Sequence, residues 1–223
     1  MMRLAVLLVF LCAFGVRAQQ QWDTIPVLPD HYNERLNLFK AQKTTTVKIL
    51  FLGNSITEMG DFRKLTGDTT VINRGIGGDI TFGVLNRLEE VTRFKPSKLF
   101  LLIGINDLSK HIPENVILQN MFAIVNLIHS QSPKTVVYVQ SILPVNPTVK
   151  DFPKGYDVNE SVILLNRELS NMQKRVKYTF IDLNKSFRNV EGLMDPRYTT
   201  DGLHLNSAGY QLWIKILKGE KHL

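Results

Sequence analysis

The chain is 223 residues long, 44% hydrophobic and 21% charged, with a formal charge of +7. That is ordinary for one globular domain and gives a core large enough to need neither disulfides nor metals. Its lysines and arginines are scattered apart from a mild cluster at Lys215, Lys218 and Lys221, so the surplus reads as a solvated surface and argues against a nucleic-acid partner.

Residues 1–18 have the parts of a secretory signal peptide. Met1-Met2-Arg3 is a short positive start, Leu4 to Val16 is nearly all apolar, and Val16 and Ala18 are small residues at a cleavage site. The apolar run is short for a bilayer span, so cleavage after Ala18 is expected, with no stable membrane insertion afterwards. Cleavage removes two positive charges, Arg3 and Arg17, from the +7 and leaves +5. It also removes Cys12, the only cysteine, and with it any disulfide or thiol chemistry. An exported bacterial protein, periplasmic or secreted, is the expectation.

Residues 19–46 read as an N-terminal extension with one helix, and 47–223 as a single domain. Gln19 to Asp30 is an extended lead. His31 to Lys43 is amphipathic, with Tyr32, Leu36 and Phe39 sharing a face. Val47 to Leu52 is an apolar run of the kind found in a strand covered on both sides. Met59 to Leu65 is a helical candidate and Thr70 to Ile72 a short second strand. Asp79 is placed to cap a helix reaching about Phe94, with Val84, Leu85, Leu88 and Val91 inward.

Leu99 to Ile103 is the third strand. Pro113 opens a helix to about Ser130, with Ile117, Met121, Ile124 and Ile128 on one side. Thr135 to Gln140 is the fourth strand. Leu143 to Asp157 contains Pro144, Pro147 and Pro153 and reads as a long irregular loop, of a length that is often functional. A helix over Val158 to Arg175, a fifth strand over Tyr178 to Ile181 and a last helix over Ser207 to Lys218 complete the pattern. Such alternation predicts an α/β domain with a parallel sheet between two helical layers.

Four segments, each at a strand end or before the last helix, carry chemistry: Gly53-Asn54-Ser55-Ile56-Thr57, Gly75-Ile76-Gly77-Gly78-Asp79, Gly104-Ile105-Asn106-Asp107 and Asp201-Gly202-Leu203-His204. In a parallel sheet the carboxyl ends of the strands share one edge, where sites are built. A serine hydroxyl is a weak nucleophile until a base takes its proton, so Ser55 reads either as a nucleophile or as the N-cap of the next helix. His204 is the natural base, and Asp201, three residues earlier, could fix its tautomer. The plainer reading of this pair is a loop capping the last helix.

Attack on an ester creates an oxyanion, for which the amides of Ser55 and Gly78 and the side-chain amide of Asn106 are available donors. The glycines could equally form a tight turn, and Asp107 could simply start a helix. His31, His111, His129 and His222 lack a carboxylate at such spacing and read as surface or core-edge residues. The glycine pattern lacks the third glycine of a dinucleotide fingerprint, and no metal-ligand cluster is evident.

Taken in order, Gly53-Asn54-Ser55, Gly78, Gly104-x-Asn106 and Asp201-x-x-His204 resemble the four sequence blocks of the SGNH (GDSL-type) hydrolases. Asn73-Arg74-Gly75-Ile76-Gly77-Gly78-Asp79 resembles especially the subgroup containing the brain platelet-activating-factor acetylhydrolase catalytic subunits and many bacterial acetylesterases. The resemblance implies a three-layer α/β/α, flavodoxin-like fold with five parallel strands. It implies Ser55, Asp201 and His204 as catalytic residues, an oxyanion hole of Ser55, Gly78 and Asn106, and no cofactor or metal. Asn54 departs from the usual Gly-Asp-Ser, but the triad carboxylate is Asp201, so activity is expected to survive.

The expected substrate is a small-molecule or glycan ester, with acetyl groups on carbohydrates, sialic acids among them, as the leading class. Leu143 to Asp157 and Asp195 to Thr200 are expected to select the alcohol, and Arg74, Arg197 and Lys154 are candidates to meet an acidic sugar. A lysophospholipase or thioesterase, or a non-catalytic carbohydrate-binding protein on the same scaffold, are the alternatives.

Overall fold

A computed structural model describes residues 27–43 and 46–223; the expected signal peptide, Cys12 and the start of the extended lead lie outside the described residues. The strands are β1 (Ile49–Gly53), β2 (Val71–Gly75), β3 (Lys98–Leu102), β4 (Val136–Gln140) and β5 (Thr179–Ile181). All pair in parallel in the order β2-β1-β3-β4-β5. This is the three-layer, flavodoxin-like arrangement expected. The order reverses at β1, so β2 and β3 diverge to either side of it, and the crevice at the strand ends beside β1 is the natural place for a site.

The apolar runs are continuous because each strand buries both faces. On one face Leu50, Leu52, Leu99, Leu101, Val137 and Val139 pack with residues of α4 (Thr81–Asn86), α5 (Leu88–Thr92), α7 (Glu114–Gln131) and α8 (Asn159–Val176). On the other, Phe51, Phe100 and Tyr138 meet α2 (Ser55–Glu58), α3 (Phe62–Thr66), α9 (Asn184–Phe187) and α10 (Ser207–Gly219). Phe51 stacks on Phe62 with centroids 3.8 Å apart, and Trp213 meets both edge-on while its indole N–H donates to Gln140 at 2.6 Å. Each such fully buried aromatic or aliphatic side chain contributes about 1.5–3 kcal/mol.

Two expected helices differ. The helix expected over Met59 to Leu65 begins only at Phe62, as α3, because its N-cap is Asp61, accepting from the Lys64 amide; a separate short helix, α2, precedes it. The helix expected from Asp79 to Phe94 breaks at Arg87 into α4 and α5, and Asp79 does not cap it. The Asp79 carboxylate turns inward to Arg87, and the Thr81 amide is met instead by Asp107, from the short helix after β3.

The described part of the N-terminal extension packs on the domain. Helix α1 (Tyr32–Ala41) places Tyr32 and Phe39 in a small cluster with Ile76 of the loop after β2.

Candidate active site

Ser55 lies one residue beyond the cap of α2. Asn54 is the N-cap, its side-chain oxygen accepting from the Ile56 amide at 3.1 Å. That leaves the Ser55 hydroxyl free of capping duty, and it lies 3.1 Å from His204 Nε2. The other ring nitrogen, Nδ1, is 2.7 Å from the Asp201 carboxylate. Asp201 also accepts from the amides of Leu203 and His204 at 2.9 and 2.7 Å. Burial works against ionisation of Asp201, but the bonds from the His204 ring and these amides outweigh it and hold the carboxyl below its ordinary value. A carboxylate fixing a ring whose far nitrogen faces a hydroxyl is the order a nucleophilic serine requires.

The three candidate oxyanion donors follow three adjacent strands: Ser55 after β1, Gly78 after β2 and Asn106 after β3. Gly78 has φ +72°, a conformation a side chain strains, and a Cβ there would meet Pro29 at 2.9 Å. Asn106, in α6 (Ile105–Ser109), is buried and its amide is held from both ends. It donates to the Asp79 carbonyl at 2.8 Å and accepts from the Tyr156 hydroxyl at 2.8 Å. One amide hydrogen remains for a ligand, since a primary amide carries two.

Beneath these donors lies a buried polar network. Asp79 pairs with Arg87 at 2.9 Å, both side chains being wholly buried, and Arg87 donates to the Gly53 carbonyl at 3.1 Å. This ties the end of β1, just before Ser55, to the loop that carries Gly78. Asp107, also fully buried, accepts from the Thr81 amide and hydroxyl at 3.0 and 2.5 Å. Burial pushes its pKa up to about 6, against the pull of the Thr81 bonds. Asn54 Nδ2 is buried without a hydrogen-bond partner among the described residues.

The long connection after β4 reaches the triad loop. The Asn146 amide donates to the Gly202 carbonyl at 2.8 Å, and its side chain to the Met194 carbonyl at 2.8 Å. Asn159 closes its base by bonding Val145 through both N–H and C=O. Thr199 and Thr200 bond the His204 carbonyl, so residues 195–200 flank the base, with a 3₁₀ turn at Pro196–Tyr198.

Of the cations expected to meet an acidic sugar, Arg74 is excluded. It is 1% exposed, paired with Glu90 at 3.1 Å and stacked between Phe39 and Phe94. Arg197 is exposed but engaged bidentately by Asp195. Lys154 is exposed. Among the other histidines, His129 meets the Lys177 carbonyl and His222 faces Glu220, as surface or edge residues do. His31 is half exposed yet sits beside Gly77 and 3.9 Å from Glu58.

No sequence signal marks Tyr156, which lies in an aperiodic, proline-rich segment. Arg87 was hidden inside an assumed continuous helix. Glu58, one turn after Ser55, had a legible signal: a carboxylate on the first turn beyond the candidate nucleophile.

Fold and site together have the form of a hydrolase: an α/β parallel sheet with a serine, a histidine and an aspartate in hydrogen-bond reach of one another. The sequence profile of the GDSL-like Lipase/Acylhydrolase family matches residues 51–212, and the chain belongs to that family. It is 30% identical over 173 residues to platelet-activating factor acetylhydrolase IB subunit alpha1 of Rattus norvegicus, covering 73% of this chain and 70% of the relative. A Streptococcus pneumonia structure described as a platelet activating factor is 31% identical, with TM-score 0.74, covering 85% of this chain and 90% of that one. A GDSL-like lipase of Bacteroides thetaiotaomicron is 25% identical with TM-score 0.71, over 86% of this chain and 98% of the other. The chain is thus an ester hydrolase of the GDSL type.

Proposed function

We propose that Ser55, His204 and Asp201 hydrolyse short-chain esters, above all acetyl groups on carbohydrates, through an acyl-enzyme. The observation that carries this reading is the unbroken chain from the Ser55 hydroxyl through His204 to Asp201, at 3.1 and 2.7 Å. Ser55 Oγ attacks the ester carbonyl while His204 Nε2 takes its proton, and Asp201 stabilises the resulting imidazolium. The oxyanion is met by the amides of Ser55 and Gly78 and by the free amide hydrogen of Asn106. Collapse breaks the bond to the alcohol, which leaves with the proton from His204. Water, deprotonated by His204, then releases the carboxylic acid and restores Ser55.

The preference for a short acyl group draws on two supports. Relatives named acetylhydrolases match most of the chain. The long connection after β4 is pinned at Asn146 and Asn159 and presents Tyr156 to Asn106, so it does not form a free apolar lid. With Arg74 buried and paired, an acidic sugar would be met by Lys154 or Arg197, both exposed. Export to the periplasm or medium belongs to the same reading and rests on the signal-peptide pattern of residues 1–18.

The test is hydrolysis of p-nitrophenyl esters from acetate to palmitate, followed by acetylated sugars, by the mature protein. Turnover confined to the shortest acyl chains, with acetate released from a sugar, is the expected result. Rates that climb with chain length contradict the short-chain preference and favour a lipase or thioesterase.

A further inference from the structure

The loop carrying Gly78 rests on a pair of side chains with no part in the proton relay. The Gly77 amide donates to the Glu58 carboxylate, whose other oxygen lies 2.9 Å from Arg35 Nε of α1. Arg35 also donates to the Gly75 carbonyl at 3.4 Å. The fit is close: a Cβ on Gly75 would fall 2.1 Å from the Glu58 amide nitrogen. From the outside, Pro29 packs on Gly78, and the Tyr32 hydroxyl donates to the Gly83 carbonyl at 2.5 Å. All of α1 precedes residue 51, where the match to the family begins.

We infer that Glu58, neutralised by Arg35 of the N-terminal helix, is a positioning residue that aims the Gly78 amide into the oxyanion hole. The inference rests on the ester-hydrolase reading of Ser55. Oxyanion donors act only when fixed at the place where charge develops. The residue before Gly78 is tied through its N–H to a carboxylate on the same short helix as Ser55, so nucleophile and donor are held in one frame. A carboxylate bonded to the residue before an oxyanion donor opposes the developing negative charge unless its own is balanced, and Arg35, 2.9 Å away, supplies the balance. The N-terminal helix is therefore part of the catalytic apparatus, acting through Glu58.

The test compares Glu58→Ala, Glu58→Gln, Arg35→Ala and the double variant Arg35→Ala/Glu58→Gln in the full chain. Rates on p-nitrophenyl acetate are expressed per serine labelled by a fluorophosphonate, so that unfolded protein is not counted. Glu58→Ala is expected to lower kcat about tenfold or more with little change in KM, as misplaced oxyanion donors do. Glu58→Gln, which keeps an acceptor for the Gly77 amide, recovers most of that loss. Arg35→Ala leaves the carboxylate unbalanced and lowers kcat, and Glu58→Gln in that background restores it. Wild-type kcat per labelled serine in both Glu58→Ala and Arg35→Ala overturns the inference and leaves a purely structural clamp. If Glu58→Ala does not fold, the failure of Glu58→Gln to rescue Arg35→Ala overturns it alone. A parent protein whose turnover survives Ser55→Ala overturns the ester-hydrolase reading itself, a distinct outcome.

Discussion

His204 and Asp201 keep 22% and 26% of their side-chain surface in solvent, whereas Asp79 and Arg87, on the other side of Ser55, keep none. The base side is built from a loop whose residues bond one another over three positions of sequence. The oxyanion side is built from groups contributed by β1, β2, β3 and the helices after them, joined by buried charge. The difference follows from the work each side does. A general base must exchange protons with water at every turnover and needs access. Oxyanion donors gain from a dry, fixed setting, because hydrogen bonds are stronger there and need no rearrangement as charge develops.

This contrast predicts that damage on the base side appears in turnover, and damage on the oxyanion side in both turnover and stability. The largest effect is expected from Asp201→Asn, which should lower kcat by about 10⁴ by favouring the wrong tautomer of His204, with thermal stability nearly unchanged. Steady-state kinetics with a melting curve checks both halves of that statement. Arg87→Met should leave Asp79 buried and unpaired and cost about 3–5 kcal/mol in urea unfolding. A loss as small as that of a surface ion pair would show that the oxyanion side is not held as described.

Tyr156→Phe removes one hydrogen bond to Asn106, worth about 1 kcal/mol, and is expected to lower kcat about fivefold and the melting temperature by about 2–4 °C. Asp107→Asn gives the smallest effect and sharpens the comparison through pH. Burial raises the Asp107 pKa from 3.8 to about 6. Its protonated form is therefore favoured in the fold, and its contribution to stability is present below its ordinary value and lost as pH rises through about 6. The melting-temperature advantage of Asp107→Asn over the parent should grow from pH 5 to pH 8. A difference independent of pH contradicts a buried, titrating Asp107.

The same contrast explains what was legible in the sequence. Ser55, Gly78 and Asn106 stand just after strands and Asp201 and His204 just before the last helix, all in short motifs, and strands buried on both faces announce themselves as continuous apolar runs such as Leu50 to Leu52 and Leu99 to Ile103. Those signals are local. Arg74 and Asp79 depart from expectation because their partners, Glu90 and Arg87, lie 16 and 8 residues on and meet them only when α4 and α5 fold over the sheet. No periodicity records that a buried arginine is paired, so a charged residue beside a motif reads as a surface group. Tyr156 was invisible for the same reason, since its value lies in a bond to Asn106 fifty residues away.

The most direct test of the account is to react the protein with a fluorophosphonate, map the adduct by peptide mass spectrometry, and measure acetate-ester turnover by Ser55→Ala alongside. The account predicts one adduct, on the peptide containing Ser55, that disappears together with turnover in the variant while its melting temperature is retained. An adduct on another residue, or a Ser55→Ala protein that still turns over the ester at the parent rate, contradicts it.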